Sequence, residues 1–138
     1  MKPLIIANWK MNPATLKEAK KLFDSVRKGI KDVKNVEVVV CPPSIYLSSL
    51  IDKSCRCKKC RTIEMGAQDC FWEQIGAFTG EVSPKTLKDL GTKYVIIGHS
   101  ERRKYLKETD EMVNEKLKAA LKAGLKPVSY THLTLPTN

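Results

Sequence analysis

Three short apolar runs constrain the fold of this chain more than any other feature: Leu4-Ile5-Ile6-Ala7, the β-branched segment 36–40 and Tyr94-Val95-Ile96-Ile97. The first and last show none of the apolar/polar alternation of a strand with one wet face, so they are expected to be buried on both faces. Between the runs lie longer stretches of helical period. That combination is the pattern of a parallel sheet with helices packed outside it, an α/β fold. A length of 138 residues suits one domain with a real core, since chains of this size bury about 70% of the surface their unfolded form exposes.

Local signals divide the chain into four βα units and the start of a fifth strand. Thr15-Leu16-Lys17-Glu18 is a capping box that opens a helix with an apolar stripe of Leu16, Ala19, Phe23, Val26 and Ile30. Cys41-Pro42-Pro43 ends the second strand, because proline cannot donate to a ladder. A short helix through Tyr46, Leu47 and Leu50 follows. A weaker strand at 62–67 leads into a long loop from Gln68 through Asp69, Phe71, Trp72 and Gly76 to Gly80, of a length that tends to carry function or an interface. Ser83-Pro84 caps a brief helix that Gly91 stops. Thr109-Asp110-Glu111 opens a helix carrying Val113, Leu117, Ala120 and Leu121, and Lys126-Pro127-Val128 starts the fifth strand after Gly124.

Composition excludes several classes. Hydrophobic content of 42% and charged content of 29% are those of a globular domain. The apolar opening is too short for a signal-peptide core or a membrane span, so the chain is expected to stay in the cytoplasm. The net charge of +10, from 25 basic and 15 acidic side chains, raises nucleic-acid binding. Yet Lys17, Lys20, Lys21, Lys28, Lys31 and Lys34 are interleaved with Glu18, Asp24 and Asp32 and form no aromatic-rich face. The expectation is a solvated surface, with neither nucleic acid nor membrane as partner. No glycine-rich nucleotide loop is present.

Five cysteines in such a chain point to free thiols or metal rather than disulfides. Cys55, Cys57 and Cys60 crowd into one basic segment, and Cys41 or Cys70 supplies a conceivable fourth thiolate for zinc. The spacing lacks a second paired knuckle, so a basic, thiol-bearing surface loop is the competing reading and no metal is assigned.

Chemistry concentrates where strands give way to loops. Asn8, Lys10, His99 and Glu101 all lie just past strand ends, where side chains of a parallel α/β sheet share a crevice. By residue type alone each also has a plain structural role: a turn cap, a surface charge, a satisfied histidine, a helix-start acid paired with a nearby arginine. The longer strings alter the weighting. Ala7-Asn8-Trp9-Lys10-Met11-Asn12, Gly76-Ala77-Phe78-Thr79-Gly80-Glu81 and Gly98-His99-Ser100-Glu101-Arg102-Arg103 closely resemble the triosephosphate isomerase family, as do Gly66-Ala67-Gln68-Asp69 and Gly124-Leu125-Lys126-Pro127.

This resemblance, covering about residues 2–128, implies an enzyme of glycolysis and gluconeogenesis that interconverts dihydroxyacetone phosphate and glyceraldehyde 3-phosphate through an enediolate, without a cofactor. A glutamate base and a neutral histidine electrophile are the family's own established pair rather than a reading of this sequence. On this chain it implies catalytic roles for Lys10, His99 and Glu101: His99 polarises the carbonyl, Lys10 stabilises oxyanion and phosphate charge, and Glu101 shapes the field of Lys10. Asn8 and Lys10 bind substrate. Thr79 belongs to a loop that family members insert into a neighbouring subunit, which implies a homo-oligomer, and Glu81 with Arg102 resembles a structural ion pair.

The family fold is an eight-stranded barrel of roughly 250 residues, so residues 1–128 correspond to its N-terminal half, a half-barrel. The glutamate base and the phosphate-gripping loops are not among them, and little or no turnover is expected of this chain alone. The alternative is a non-catalytic, self-associating half-barrel or scaffold, and more remotely a basic metal-binding module. Residues 129–138 read as foreign to the family, as translated adapter or vector sequence would, so His132 is given no role. A half-barrel is also expected to keep two unpaired strand edges and to leave interior apolar side chains facing water.

Overall fold

The computed structural model describes residues 2–51 and 63–129. In chain order the elements are β1 (Leu4–Asn8), α1 (Leu16–Gly29), β2 (Glu37–Cys41), a 3₁₀ turn (Ser44–Tyr46) running into α2 (Leu47–Ile51), β3 (Glu64–Ala67), α3 (Pro84–Leu90), β4 (Tyr94–Ile97), α4 (Ser100–Leu106), α5 (Asp110–Lys122) and β5 (Lys126–Ser129). The five strands form one parallel sheet in the order β1-β2-β3-β4-β5 and curl into a half-barrel. Sequential parallel neighbours require a crossover on the same face each time, and the helices supply it.

The two faces of the sheet separate cleanly. Val40, Met65, Ala67, Val95 and Ile97 join Ala19, Phe23, Leu47, Leu50, Leu87, Val113 and Ala120 in the main core between sheet and helices. Val39, Cys41, Tyr94 and Ile96 form a second cluster on the concave face, flanked by Ile6 and Val128. Close curvature there depends on Gly66, where a Cβ would stand 2.4 Å from the Cys41 sulfur.

Helix boundaries follow the local chemistry. The Thr15 hydroxyl accepts from the Glu18 amide while the Glu18 carboxylate takes the Thr15 amide, completing the capping box. Ser83 caps α3 with Pro84 in its first turn, and Gly91 stops it at φ +100°. Of the predicted α1 stripe, Ala19 and Phe23 are buried and Val26 and Ile30 partly so, whereas Leu16 is exposed on the first turn.

Two expectations are corrected. Interior apolar side chains of the central strands do not face water: Val39, Cys41, Tyr94 and Ile96 are at most 5% exposed, because the curled sheet closes over them. The bare positions sit instead on β1, where Leu4 is 44% and Ile5 54% exposed. Leu121 is not a core residue, because the inward stripe of α5 runs Val113, Lys116, Ala120 and turns Leu121 to solvent. The helix start read at Glu101 is present as α4, which opens at Ser100 and is too short to show its extent by periodicity. The two unpaired edges are present among the described residues, on β1 and β5. Cys55, Cys57, Cys60 and His132 lie outside the described residues.

Candidate active site

β1 delivers Asn8 as its last residue, and the next turn delivers Lys10. The Asn8 side-chain oxygen accepts the Lys10 amide at 2.9 Å, which fixes the orientation of the Asn8 amide group. Lys10 itself adopts φ +55°, the left-handed region that non-glycine residues enter at a cost on the order of 1 kcal/mol. Gln68, just past β3, holds this conformation: its side-chain nitrogen donates to the Lys10 carbonyl and to the Cys41 carbonyl, both at 2.8 Å. One amide thereby ties together the loops after β1 and β2.

β4 ends at Ile97, and Gly98 turns the chain at φ +70°. A Cβ there would lie 3.0 Å from Val113, so glycine is required both by the backbone and by the packing of α5. His99 follows as the N-cap of α4, its Nδ1 accepting the Glu101 amide at 3.2 Å. A ring nitrogen that accepts an amide hydrogen carries none itself, which assigns the ring's hydrogen to Nε2. The 3.5 Å approach of Glu101 Oε2 to the same Nδ1 is therefore not an ion pair.

Glu101 reaches across to β1's loop. Its Oε1 accepts from Lys10 Nζ at 2.6 Å, and that hydrogen bond holds the Glu101 carboxyl below the ordinary carboxylate range. The predicted pairing with Lys10 and the predicted place in a helix's first turn thus coexist, but the partner is the lysine and not an arginine. Asn8, Lys10, His99 and Glu101 converge on a cleft of about 180 Å³, completed by Met11, Gln68 and Arg102. Thr79 is elsewhere, in the exposed 75–81 stretch of the loop after β3, which the buried Phe71 braces by stacking on Trp72 at 4.0 Å and packing on Phe78 at 4.7 Å.

Beneath the cleft lies an arrangement that sequence reasoning missed. Lys116, 2% exposed, donates to Asp69 at 2.7 Å and to Glu108 at shorter range, while Arg102 reaches Asp69 at 2.9 Å and Glu108 at 2.8 Å. Two acids and two bases balance in charge, as burial demands. The resemblance to a Glu81–Arg102 pair is corrected: Arg102 pairs with Asp69 and Glu108, and Glu81 acts on it only as a more distant charge. Nothing in the sequence marks Lys116, one of many lysines on helical segments. Gln68 stood in a quoted motif with no role attached.

Two buried thiols complete the inventory. Burial pushes Cys41 and Cys70 up to about 12, so neither offers a thiolate.

A triosephosphate isomerase family model matches residues 3–132. The chain belongs to that family. It is 50% identical over 127 residues to the triosephosphate isomerase of Thermoanaerobacter sp. (strain X514), covering 92% of this chain and 49% of the relative. The enzyme of Trichlorobacter lovleyi is 50% identical over 123 residues, 89% of this chain and 47% of its own length. That of Lactobacillus delbrueckii subsp. bulgaricus is 44% identical over 126 residues, with coverage of 91% and 48%. The chain thus spans about half the length of the curated triosephosphate isomerases it matches, and the half-barrel agrees with that extent.

Proposed function

We propose that the cleft is the electrophilic half of a triosephosphate isomerase site, working in the cytoplasm on dihydroxyacetone phosphate and glyceraldehyde 3-phosphate. The observation that carries this reading is the convergence of Asn8, Lys10 and His99 at the carboxyl ends of β1 and β4. In it the substrate carbonyl oxygen takes hydrogen bonds from His99 Nε2 and Lys10 Nζ. When a proton leaves the adjacent carbon, negative charge builds on that oxygen, and donors already in place stabilise it by about 3 kcal/mol each. Asn8 orients the substrate, and Lys10 also attracts its phosphate. Glu101 is a positioning residue that holds the Lys10 ammonium over the cleft.

Isomerisation also needs a base within about 3 Å of the carbon-bound proton. Among the residues lining the cleft the carboxylate is Glu101, already committed to Lys10. The 138-residue chain alone is therefore expected to bind triose phosphate weakly and to turn it over little or not at all. The family's implied homo-oligomer would draw on the loop that bears Thr79.

Titration of the ¹⁵N-labelled chain with dihydroxyacetone phosphate tests the site. Shifts at Asn8, Lys10 and His99 that vanish in Lys10→Met are expected. Shifts confined to other residues, or unaffected by Lys10→Met, overturn the assignment.

A further inference from the structure

Stability alone does not account for the charged group beneath the cleft. Exchanging a buried ion network for apolar side chains of similar size is often neutral or stabilising, because desolvation offsets the attraction. Lys116 nevertheless takes an inward position on α5, on the stripe that also carries Val113 and Ala120.

What the network has that an apolar patch lacks is one closed arrangement. Asp69 Oδ2 meets Lys116 Nζ at 2.7 Å and Arg102 Nη2 at 2.9 Å. Glu108 Oε1 accepts from Arg102 Nε at 2.8 Å and also from Lys116 Nζ. Each acid thus meets both bases through a single oxygen, and the second oxygens, Asp69 Oδ1 and Glu108 Oε2, have no hydrogen-bond partner among the described residues. The four side chains close a ring, so none of them moves without breaking a buried, charge-assisted contact.

Two members of this ring are joined to the cleft. Asp69 follows Gln68, whose side chain bonds the Lys10 carbonyl at 2.8 Å. Arg102 lines the cleft, and its amide donates to the His99 carbonyl at 2.9 Å in the first turn of α4. The ring therefore sets the distance between the loop after β3 and α4, and with it the spacing of Lys10 and His99. Lys116 and Glu108 are not among the residues that line the cleft.

We propose that Lys116 is a positioning residue for the cleft, holding Asp69 and Glu108 on Arg102 so that Lys10 and His99 keep the spacing needed to share one substrate oxygen. The ligand in this role rests on the triose phosphate reading, and the geometry does not. Donors aimed at one developing charge work only within about 0.5 Å of their productive places. A lysine that is 2% exposed can hold them there from outside the site, because no water competes for its partners.

A double variant, Lys116→Met with Glu108→Gln, separates position from stability. It removes one base and one acid and leaves Arg102 balanced by Asp69, so a change in the cleft is one of distance rather than of net charge. Leu50→Ala, in the core at α2, is the control for lost stability alone. Each protein is measured at a temperature where it is folded. The deciding readout is the carboxyl ¹³C titration of Glu101, which the Lys10 hydrogen bond across the cleft holds below the ordinary carboxylate range. In the double variant it is expected to move up toward that range, and in Leu50→Ala to stay. A Glu101 titration unchanged in the double variant, or moved equally in Leu50→Ala, overturns the proposal and leaves Lys116 a stabilising residue only. Affinity for dihydroxyacetone phosphate is the second readout, expected to fall about tenfold in the double variant, the loss of one charge-assisted hydrogen bond. A wild type that binds no dihydroxyacetone phosphate overturns the functional reading, and the Glu101 titration then decides the role of Lys116 by itself.

Discussion

Lys10 joins local strain to function. Its left-handed backbone aims an ammonium at Glu101, and the conformation persists because Asn8 and Gln68 bond both sides of the residue. Replacing Gln68 with alanine is expected to release the loop, weaken triose phosphate binding severalfold and lower the global melting temperature by no more than about 8 °C, the shift of two lost hydrogen bonds. Ligand titration beside a thermal melt reads both. Lys116 behaves in the opposite way. Lys116→Met strands two buried carboxylates on Arg102 alone, and breaking a buried pair from one side costs about 3 kcal/mol or more. A melting temperature lowered by about 10 °C is expected.

The same network gives an acid response of definite sign. Burial pushes the Glu108 carboxyl up, but hydrogen bonds from Lys116 and Arg102 with their charges outweigh it and hold it below its ordinary 4.5. A lowered folded value means the contribution is present above the unfolded value and lost as pH falls through the folded one. Asp69 is shifted upward by its burial, so its contribution has the other sign and fades as pH rises through its folded value. The Glu108 contribution is therefore expected to drop below about pH 4.5, opposed by that of Asp69. A pH series of melts should show the drop in the wild type and a shallower one in Glu108→Gln.

At the scale of elements, the sequence was most legible where one residue type has one job. The capping box at Thr15, the Ser83-Pro84 start and the Gly91 stop all stand where their chemistry put them. The apolar runs announced β1, β2 and β4, and strand ends announced Asn8, Lys10 and His99. α4 was legible only at its start, through Glu101, because seven residues give too little period to show its extent and its cap is a histidine rather than serine, threonine or aspartate. The stripe of α5 misled for a related reason: a lysine occupies the inward position between Val113 and Ala120, where its charge is met by Glu108 and Asp69 from outside the helix. Such a position looks like surface in one dimension. Gly98 links this scale to the site, since it turns β4 into α4. Gly98→Ala is expected to lower stability by at least about 1 kcal/mol through the forced φ and the contact with Val113. It should also shift the His99 ring resonances, which a merely destabilised core would leave in place.

The molecule as a whole is a curled sheet with two ends of different use. The carboxyl ends of its strands carry the cleft. Near the amino ends, Glu37 takes hydrogen bonds from Lys93 at 2.6 Å and Tyr94 at 2.8 Å, and Glu64 takes one from Lys93 at 3.0 Å, a tie across neighbouring strands. The cleft gathers Asn8, Lys10, His99 and Glu101, and Glu101, the carboxylate among the residues that line it, is already bonded to Lys10. The most direct test is a coupled isomerisation assay on the purified 138-residue chain and its His99→Gln variant. Both are expected to give the rate of the blank. Turnover by the wild type that disappears in His99→Gln would contradict the account, because it would mean that these residues assemble a working base.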